Sequence, residues 1–268
     1  MADVDRAERW KNERAHFDAQ ADGSDITAFD QATIDRYRYP EGVGTKEFRF
    51  DLMGDLTGKR ILDVGCNDGE NSVLHACLGG DVVGVDISER SIELANYRAS
   101  LNGVSDTTEF HAAPIETVEL EDSSFDIIWC HSFLHHVLDE LELVLDKLKA
   151  WCKPGGMIVI SEPVSNPTIR RLRGLVPIPV DYGTPTERPL TPAEVVDVKS
   201  ILSDPNERYF RVLGRLDAAL RLPLIRKFEG ALGRVMHDVL FRADRALLSL
   251  PKTQSLGGIV VLWGSPAK

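Results

Sequence analysis

The run Ile61-Leu-Asp-Val-Gly-Cys-Asn-Asp-Gly69 decides the fold class of this 268-residue chain. A short apolar strand pattern leads into a glycine-containing turn, and a helical stretch follows from Glu70. Open α/β sheets bind ligands at such turns, at the carboxyl ends of their strands. Glycine lets the backbone approach a ligand and takes positive φ without cost, and the amides of the next helix favour an anionic group. The run therefore predicts a ligand-binding loop in an α/β fold.

The same rhythm continues downstream of this loop as far as Ser161. Short apolar runs alternate with helical stretches, which is typical of a parallel sheet with helices on both faces. The runs are apolar throughout because both faces of such a sheet are buried. The predicted strands are Arg60–Val64, Asp81–Asp86, Thr108–Ala112, Phe125–Cys130 and Met157–Ser161, and the predicted helices between them are Glu70–Leu78, Glu89–Asn102 and Asp139–Cys152.

The segments that flank this core have different patterns. Two helical stretches, Asp3–Ala21 and Thr27–Tyr39, precede it, and the seven prolines from Pro163 to Pro192 disfavour regular elements after it. Thr191 is expected to cap a helix with Pro192 in its first turn. Further on, the sequence predicts a short strand at Arg208–Leu213, an amphipathic helical stretch at Leu216–Leu250 and a strand at Gly258–Trp263. The predicted organisation is a helical cap over 1–45, a Rossmann-like core over 46–165, a substrate-side loop and helical insertion over 166–256 and a final sheet strand over 257–268.

Composition narrows the class of partner. The net charge of −11 argues against nucleic acid, which favours a basic face. Between Arg211 and Lys252, however, nine Lys or Arg stand against four Asp or Glu, a local balance of +5, so the rest of the chain carries −16. No apolar run reaches the roughly 20 residues of a spanning helix, and the charged first residues do not resemble a secretory signal. The four cysteines show no disulfide or zinc spacing, which favours a reduced, cytoplasmic protein.

Asp86 is the second candidate ligand-binding residue. It ends the second predicted strand, 23 residues after Asp63. An acidic side chain at that place can accept hydrogen bonds from both hydroxyls of a ribose. The nicotinamide-binding alternative requires Gly-x-Gly-x-x-Gly, and Gly65 and Gly69 with Asn67 between them fit that pattern poorly.

Five segments in order resemble the motifs of class I S-adenosylmethionine (SAM)-dependent methyltransferases. They are Ile61–Gly69, Gly84-Val-Asp-Ile-Ser88, Ser124-Phe-Asp-Ile-Ile128, Leu134-His-His-Val137 and Lys153-Pro-Gly-Gly156. The resemblance covers residues 48–165 and the final strand. It implies a seven-stranded sheet, mostly parallel, with the last strand antiparallel, and an N-terminal helical lid over the cofactor.

The resemblance also implies a set of cofactor contacts. Asp63 and Gly65 would lie by the methionine moiety, Asp86 on the ribose and Ile87 against the adenine. The predicted cofactor-binding residues are Asp63, Gly65, Cys66, Asn67, Asp86, Ile87, Ala113, Ile115 and Cys130. Two positions depart from the family pattern. Asn67 replaces a usual glycine, which Asn tolerates because it adopts left-handed backbone, and no acid follows the third strand until Glu116, so backbone groups near Ala113 would hold the adenine.

Histidines after the fourth strand are the candidates for chemistry. His131, His135 and His136 lie where an acceptor would meet the methyl group, and an imidazole suits proton removal near neutral pH. His135 and His136 are adjacent and point in different directions, so at most one of them is expected to face the cleft as the base. Packing or a hydrogen bond to backbone is the alternative role for each of the three histidines. His131, Glu162 and Tyr37 are predicted substrate contacts, with structural roles as the alternative. The chain lacks carboxylates at ligand spacing to the histidines, and no metal is predicted.

The sequence thus predicts an enzyme that transfers a methyl group from SAM to a small molecule and releases S-adenosylhomocysteine. The preferred acceptor is a hydroxyl oxygen of a lipid, polyketide, quinone or glycoside, apolar or bulky in shape. The alternatives are C- or N-methylation of a similar molecule and a catalytically silent SAM-binding protein. The basic stretch Leu213–Leu250 leaves four roles open: shaping the acceptor pocket, packing on the sheet, homodimer formation and contact with an anionic membrane surface.

Overall fold

A seven-stranded sheet organises the structure, a computed structural model that describes residues 2–40, 44–165, 187–212, 239, 242–250 and 253–267. Its strands run in the order β3-β2-β1-β4-β5-β7-β6. Strands β1 to β5 pair in parallel, and β7 is antiparallel to both β5 and β6. The predicted mixed sheet with an antiparallel last strand is confirmed. The strands are β1 Arg60–Val64, β2 Asp81–Asp86, β3 Thr108–Ala112, β4 Phe125–His131, β5 Cys152–Pro163, β6 Asn206–Phe210 and β7 Ile259–Gly264.

Helices cover both faces of the sheet. One apolar core joins it to α6 and α7, and a second joins its other face to α3 and α4. Alternate residues of a strand divide between the two cores, as Leu62 and Ile61 do, because successive side chains point to opposite faces. The helices are α1 Ala2–Asp22, α2 Gln31–Arg38, α3 Thr45–Met53, α4 Glu70–Cys77, α5 Glu89–Leu101, α6 Leu141–Trp151 and α7 Pro192–Ser200, and residues 242–248 are also helical.

Helix α7 begins with the predicted cap. The Thr191 hydroxyl accepts a hydrogen bond from the N–H of Glu194, whose carboxylate accepts one from the N–H of Thr191. This reciprocal pair satisfies two helix-end donors. Arg188 also binds the Glu194 carboxylate and is the first of the causes that lower the pKa of Glu194 to about 2.

Two elements differ from the sequence prediction around the second half of the sheet. Strand β5 is longer than Met157–Ser161 and takes in the turn before it, where Gly155 has φ +79°. Strand β6 begins at Asn206 and ends at Phe210, because Arg211 turns out of extended backbone with φ +64°. Both β6 and α7 lie within 166–256, and residues of α7 are part of the main core. The range predicted as an insertion therefore contributes to the sheet and its packing.

Most of the predicted basic stretch, and the centre of the proline-rich segment, lie outside the described residues. Within the residues that the structure does describe, no helix combines the length and apolar character needed to cross a membrane.

Candidate cofactor and acceptor site

The turn between β1 and α4 has the backbone that the sequence predicts. Gly65 and Gly69 adopt φ +70° and +74°, and Asn67 adopts φ +48°, so asparagine does take the left-handed conformation here. The N–H groups of Gly65 and Cys66 both donate to the carbonyl of Val85, at 2.9 and 3.1 Å. These bonds fix the turn against the end of β2.

Glycine is required at position 65 for space as well as for backbone angle. A Cβ atom there would lie 2.5 Å from the ring of Phe133, in the loop after β4. The absence of a side chain lets that loop and the turn approach each other, so the backbone of Gly65 forms part of a cavity wall.

The cavity beside this turn has a volume of about 370 Å³. Five parts of the chain enclose it: helix α1, the turn after β1, the end of β2, the segment after β3 and the loop after β4. The lining residues are Arg9, Trp10, Glu13, Phe17, Gln20, Ser24, Gly65, Cys66, Asn67, Asp68, Glu70, Asn71, Val85, Asp86, Ile87, Ala113, Pro114, Ile115, Glu116, His131, Ser132, Phe133, His136 and Val137.

Asp86 presents its carboxylate at the centre of this group. One oxygen accepts from the N–H of Asn67 at 2.9 Å and the other from the N–H of Ser88 at 3.0 Å. Burial raises the pKa of Asp86 above its usual value, although the hydrogen bonds from Ser88 and Asn67 act to lower it. Each oxygen keeps capacity for a further hydrogen bond, as recognition of two ribose hydroxyls requires.

Helix α1 lies over the cavity and binds its rim through charged side chains. The Arg9 guanidinium contacts the Glu116 carboxylate in a buried ion pair, and Trp10 donates to the same carboxylate at 3.3 Å. Arg14 donates to the carbonyl of Ile87 at 3.1 Å. The predicted cap is therefore in contact with the segments after β2 and β3.

The segment after β3 supplies less to a ligand than the sequence suggests. The N–H of Ala113 already donates to the carbonyl of Asp86 at 2.8 Å, and Glu116 is occupied by Arg9 and Trp10. Ile115 is buried and lines the cavity together with Ile87. These apolar side chains offer flat contact to an aromatic base.

Two predicted cofactor residues lie beneath the cavity and do not line it. Asp63 is 2% exposed and accepts a hydrogen bond from the Ser72 hydroxyl at 2.6 Å. Burial raises the pKa of Asp63 to about 7. The hydrogen bond from Ser72 acts to lower this pKa, and the charge of Asp86 acts to raise it further. Cys130 is fully buried in the core, and burial raises the pKa of its thiol well above the usual value.

Arg49 of α3 is a buried cation that the sequence prediction missed. Its Nε donates to the carbonyl of Thr45 at 3.3 Å, and its guanidinium lies 4.8 Å from the ring centre of Trp129. Burial lowers its pKa to about 9, and the nearby charge of Asp63 is the largest influence that opposes the shift. Its Nη1 is buried with no hydrogen-bond partner in the described part of the chain. Only tertiary packing reveals this residue, since its helix carries no motif.

The adjacent histidines have separate environments, as their adjacency predicts. His135 is buried, with Nδ1 2.7 Å from Glu162 and Nε2 3.1 Å from Glu187. Carboxylates only accept, so both ring nitrogens donate and the ring is a cation. Burial opposes that charge, but the bond and charge of Glu162, followed by the charge of Glu187, outweigh it and raise the pKa of His135.

Glu162 has a positioning role in the structure. Besides binding His135, its carboxylate accepts from the N–H groups of Phe133 and Leu134, each at 2.8 Å. It is fully buried and does not line the cavity. The end of β5 thus holds the loop after β4 in place.

His136 and His131 both line the cavity. Nδ1 of His136 lies 3.1 Å from Glu13 of α1, at ion-pair distance, and makes no hydrogen bond among the described residues. Burial, followed by the charge of Arg49, lowers the pKa of His131 well below the usual value, so this ring is neutral. Tyr37 lies elsewhere: it packs on Phe50 and lines a different cavity.

His135, His136 and Glu187 offer metal-ligand atoms within 4.8 Å of one another. In this arrangement the two nitrogens of His135 already face carboxylates, which is the geometry of an ion-paired imidazolium. The absence of a metal stays a prediction.

Comparison with known proteins places this geometry in a family. A family model described as "Methyltransferase domain" matches residues 62–160. This part of the chain is a class I SAM-dependent methyltransferase domain. The methyltransferase domain therefore contains β2 to β4, most of β1 and β5 and the cavity residues from Gly65 to Val137, and the cofactor of its family is SAM.

Sequence relatives of the methyltransferase domain are named ubiquinone biosynthesis O-methyltransferase. That of Bordetella avium is 37% identical over 118 residues, which is 44% of this chain and 48% of the relative. That of Neisseria meningitidis serogroup A is 39% identical over 119 residues, which is 44% of this chain and 49% of the relative. The chain thus matches about half the length of these curated relatives.

Solved structures share the fold at low identity. A chain from the Haloferax volcanii complex between the Trm112 methyltransferase activator and a methyltransferase is 17% identical with a TM-score of 0.57, over 96% of this chain and 98% of that one. The [4+2]-cyclase SpnF is 17% identical with a TM-score of 0.52, over 92% of this chain and 86% of that one.

The cavity residues fit the three parts of SAM. The Asp86 carboxylate has free acceptor capacity for ribose hydroxyls, and Ile87 and Ile115 give apolar walls for adenine. The bare backbone of Gly65 forms the cavity wall at the end of β1, where an amino-acid moiety would be placed. Arg49 does not line the cavity, but its charge interacts with that of Asp63 in β1.

Proposed function

We propose that the chain is a SAM-dependent methyltransferase that methylates a hydroxyl oxygen of a small molecule, with a quinone-type or related lipid, polyketide or glycoside acceptor. The observation that carries the proposal is the position of His136, whose imidazole lines the same cavity as Asp86. The relatives named ubiquinone biosynthesis O-methyltransferase favour oxygen as the acceptor atom and a quinone precursor as its class.

The side chains divide into three roles in this proposal. Asp86 holds the ribose, and Gly65, Cys66 and Asn67 supply the backbone beside the amino-acid moiety. Arg49 contributes positive potential toward the carboxylate of that moiety, at short range in a low-dielectric interior. Asp63 and Cys130 support the site from beneath, and Glu162 holds the loop that carries His136.

SAM supplies an electrophilic methyl group on a sulfonium. The chain then has to place the acceptor oxygen in line with that group, keep water out and take up the hydroxyl proton. His136 accepts the proton at Nε2 as the oxygen–methyl bond forms, and it later releases the proton to solvent. Helix α1 excludes water, since its residues Arg9, Trp10 and Phe17 roof the cavity.

His135 does not serve as the base in this mechanism. Both of its nitrogens face carboxylates, so neither has a lone pair directed at the cavity, and these carboxylates outweigh burial and raise its pKa. His131 is neutral and partly buried, and it lines the acceptor side as a polar contact. These environments support His136 as the base of the proposed reaction.

A catalytically silent or differently acting SAM-fold protein is the second candidate. The likeness to a [4+2]-cyclase favours it, because one fold supports more than one chemistry. Methyl transfer to carbon or nitrogen is the remaining alternative within the enzyme class.

Turnover tests the proposal. We expect the full chain to bind SAM in calorimetry and to release S-adenosylhomocysteine with a hydroxylated aromatic acceptor from a panel of catechols, lipids and glycosides. His136→Asn should lose most of the turnover and keep SAM affinity, whereas His111→Asn, on β3, should retain both. SAM binding without methyl transfer to any acceptor would favour the silent alternative, and transfer to carbon or nitrogen alone would overturn the oxygen assignment.

A further inference from the structure

We propose that Glu13 of helix α1 is a positioning residue for His136. It favours the imidazole tautomer that can accept a proton at Nε2, and it does so only while α1 lies over the cavity. The inference rests on the proposed function, since it concerns the base of that reaction. It also predicts a property of the imidazole that is measurable without turnover.

The contact between the two side chains carries the inference. Oε2 of Glu13 lies 3.1 Å from Nδ1 of His136, and the two side chains are 6% and 13% exposed. Nδ1 makes no hydrogen bond among the described residues, so Glu13 acts on it through charge. Both residues line the cavity. A carboxylate at Nδ1 favours the tautomer that carries its hydrogen on Nδ1, and that tautomer leaves a lone pair on Nε2. Nε2 is then the atom able to take a proton from an acceptor.

Other charged and aromatic groups also surround His136. The cationic ring of His135 lies 4.2 Å away, centre to centre, and repels a proton on His136. Glu187 belongs to the same cluster, and Asp86 faces His136 closely enough for the two charges to interact. The uncharged ring of Phe17 packs edge-on at 5.4 Å. Among these neighbours, Glu13 is the acid placed at Nδ1.

Helix geometry ties this contact to the closed position of α1. Arg9, Glu13 and Phe17 follow one another at intervals of four and share one face. Arg9 is held by the buried Glu116, and Arg6, earlier on the helix, donates to Glu140 at 2.9 Å. Movement of α1 away from the cavity would remove Glu13 from His136 together with these contacts. The same helix would therefore exclude water from the cavity and determine the tautomer of His136.

Variants at position 13 separate positioning from mere packing. Glu13→Gln keeps the size and removes the charge, Glu13→Asp keeps the charge with a shorter reach, and Glu8→Gln alters an exposed acid of the same helix as a control. With the acceptor of the proposed reaction, we expect Glu13→Gln to lower kcat about tenfold to a hundredfold, the range of general-base effects. Its KM for SAM should stay within about twofold, and Glu13→Asp should recover part of kcat.

The pH profile gives a second readout. A carboxylate beside an imidazole stabilises the protonated ring, so its removal should move the acidic limb of the kcat/KM profile to lower pH. Unchanged kcat and an unmoved limb would overturn the inference. A raised KM for SAM with unchanged kcat would also overturn it, because the role of Glu13 would then be to hold the helix.

Nitrogen-15 NMR of the histidine rings tests the inference even without turnover. In the wild-type protein with bound S-adenosylhomocysteine, we expect His136 to carry its hydrogen mainly on Nδ1, and Glu13→Gln should increase the other tautomer. A silent protein that shows this pattern would refute the proposed function and keep the positioning role. The same tautomer mixture in both proteins would refute the positioning role alone.

Discussion

The carboxylate of Asp86 accepts a hydrogen bond from the backbone N–H of Asn67 at 2.9 Å. This bond joins the end of β2 to the turn after β1 at the residue where the family usually has glycine. The left-handed backbone of Asn67 (φ +48°) directs its N–H toward the acid. The acid that is proposed to hold the ribose therefore also fixes the turn proposed to hold the amino-acid moiety.

Replacement of Asp86 by alanine should weaken SAM binding about tenfold to a hundredfold. The ribose hydroxyls lose a charged acceptor worth about 1.5–3 kcal/mol, and the turn loses its contact at Asn67. Calorimetric titration with SAM measures the effect, with Asp81→Ala at the exposed start of β2 as the control. A folded Asp86→Ala protein of wild-type affinity would contradict the assignment.

Arg49→Met should reduce affinity for S-adenosylhomocysteine more than affinity for 5′-methylthioadenosine. The second ligand lacks the amino-acid carboxylate, so the positive potential that we propose for Arg49 contributes nothing to its binding. We expect a loss of about tenfold or more for the first ligand and little change for the second. Arg38→Met, on an exposed side chain of α2, serves as the control. Equal losses for the two ligands would point to general disruption of the cavity.

Gly69→Ala should destabilise the protein more than Gly103→Ala. The two glycines have similar backbone, with φ +74° and +69°, so the left-handed strain of about 1–2 kcal/mol is common to both. A Cβ at Gly69 would lie 2.7 Å from Cβ of Ala95 and 3.0 Å from its Cα, whereas the space beside Gly103 is open. We expect an additional 1–3 kcal/mol or so for the clash, measured as the free energy of unfolding in urea. Equal losses of unfolding free energy in the two variants would show that α5 moves at Ala95 to make room for the added Cβ.

The contribution of His135 to stability should decrease as the pH rises. Its pKa is raised in the folded protein above the unfolded value of about 6.5. The stabilisation is therefore fully present below that value and is lost as the pH rises through the folded pKa. The difference in unfolding free energy between wild type and His135→Asn should be larger at pH 6 than at pH 9.

His75 provides the control of opposite sign. Burial lowers its pKa to about 3, so the folded protein keeps it neutral. The wild type should lose stability relative to His75→Gln as the pH falls below about 6.5. If the difference in unfolding free energy between wild type and variant changes with pH in the same direction for His135 as for His75, His135 is not an ion-paired imidazolium.

The sequence was sufficient for the core because local pattern determines it. β2 and β3 occupy their predicted ranges, and the cap at Thr191 is present. β6 was harder to place, since Asn206-Glu-Arg-Tyr-Phe210 is a largely polar edge strand that pairs with β7 alone. Its burial pattern is that of a surface strand, which a search for apolar runs overlooks.

The site residues that belong to a single motif could be predicted from the sequence, whereas contacts between distant segments could not. Gly65 and Asp86 follow from their own strands. The pairing of Arg9 with Glu116 spans 107 positions, and the charge of His135 depends on Glu187, 52 positions away. The local sequence could not show which of His135 and His136 faces the cavity, because the environment of each ring depends on carboxylates from three other segments.

The ion pairs of α1 have a consequence for the order of folding. Its partners Glu116 and Glu140 lie 107 and 134 positions further along the chain, so a nascent or refolding chain cannot form these ion pairs until the segments after β3 and β4 are in place. Charged contacts of such long sequence separation form late and open early. We therefore expect hydrogen exchange to detect the roof of the cavity as a separate, less protected unit, with the sheet beneath still protected while the roof opens.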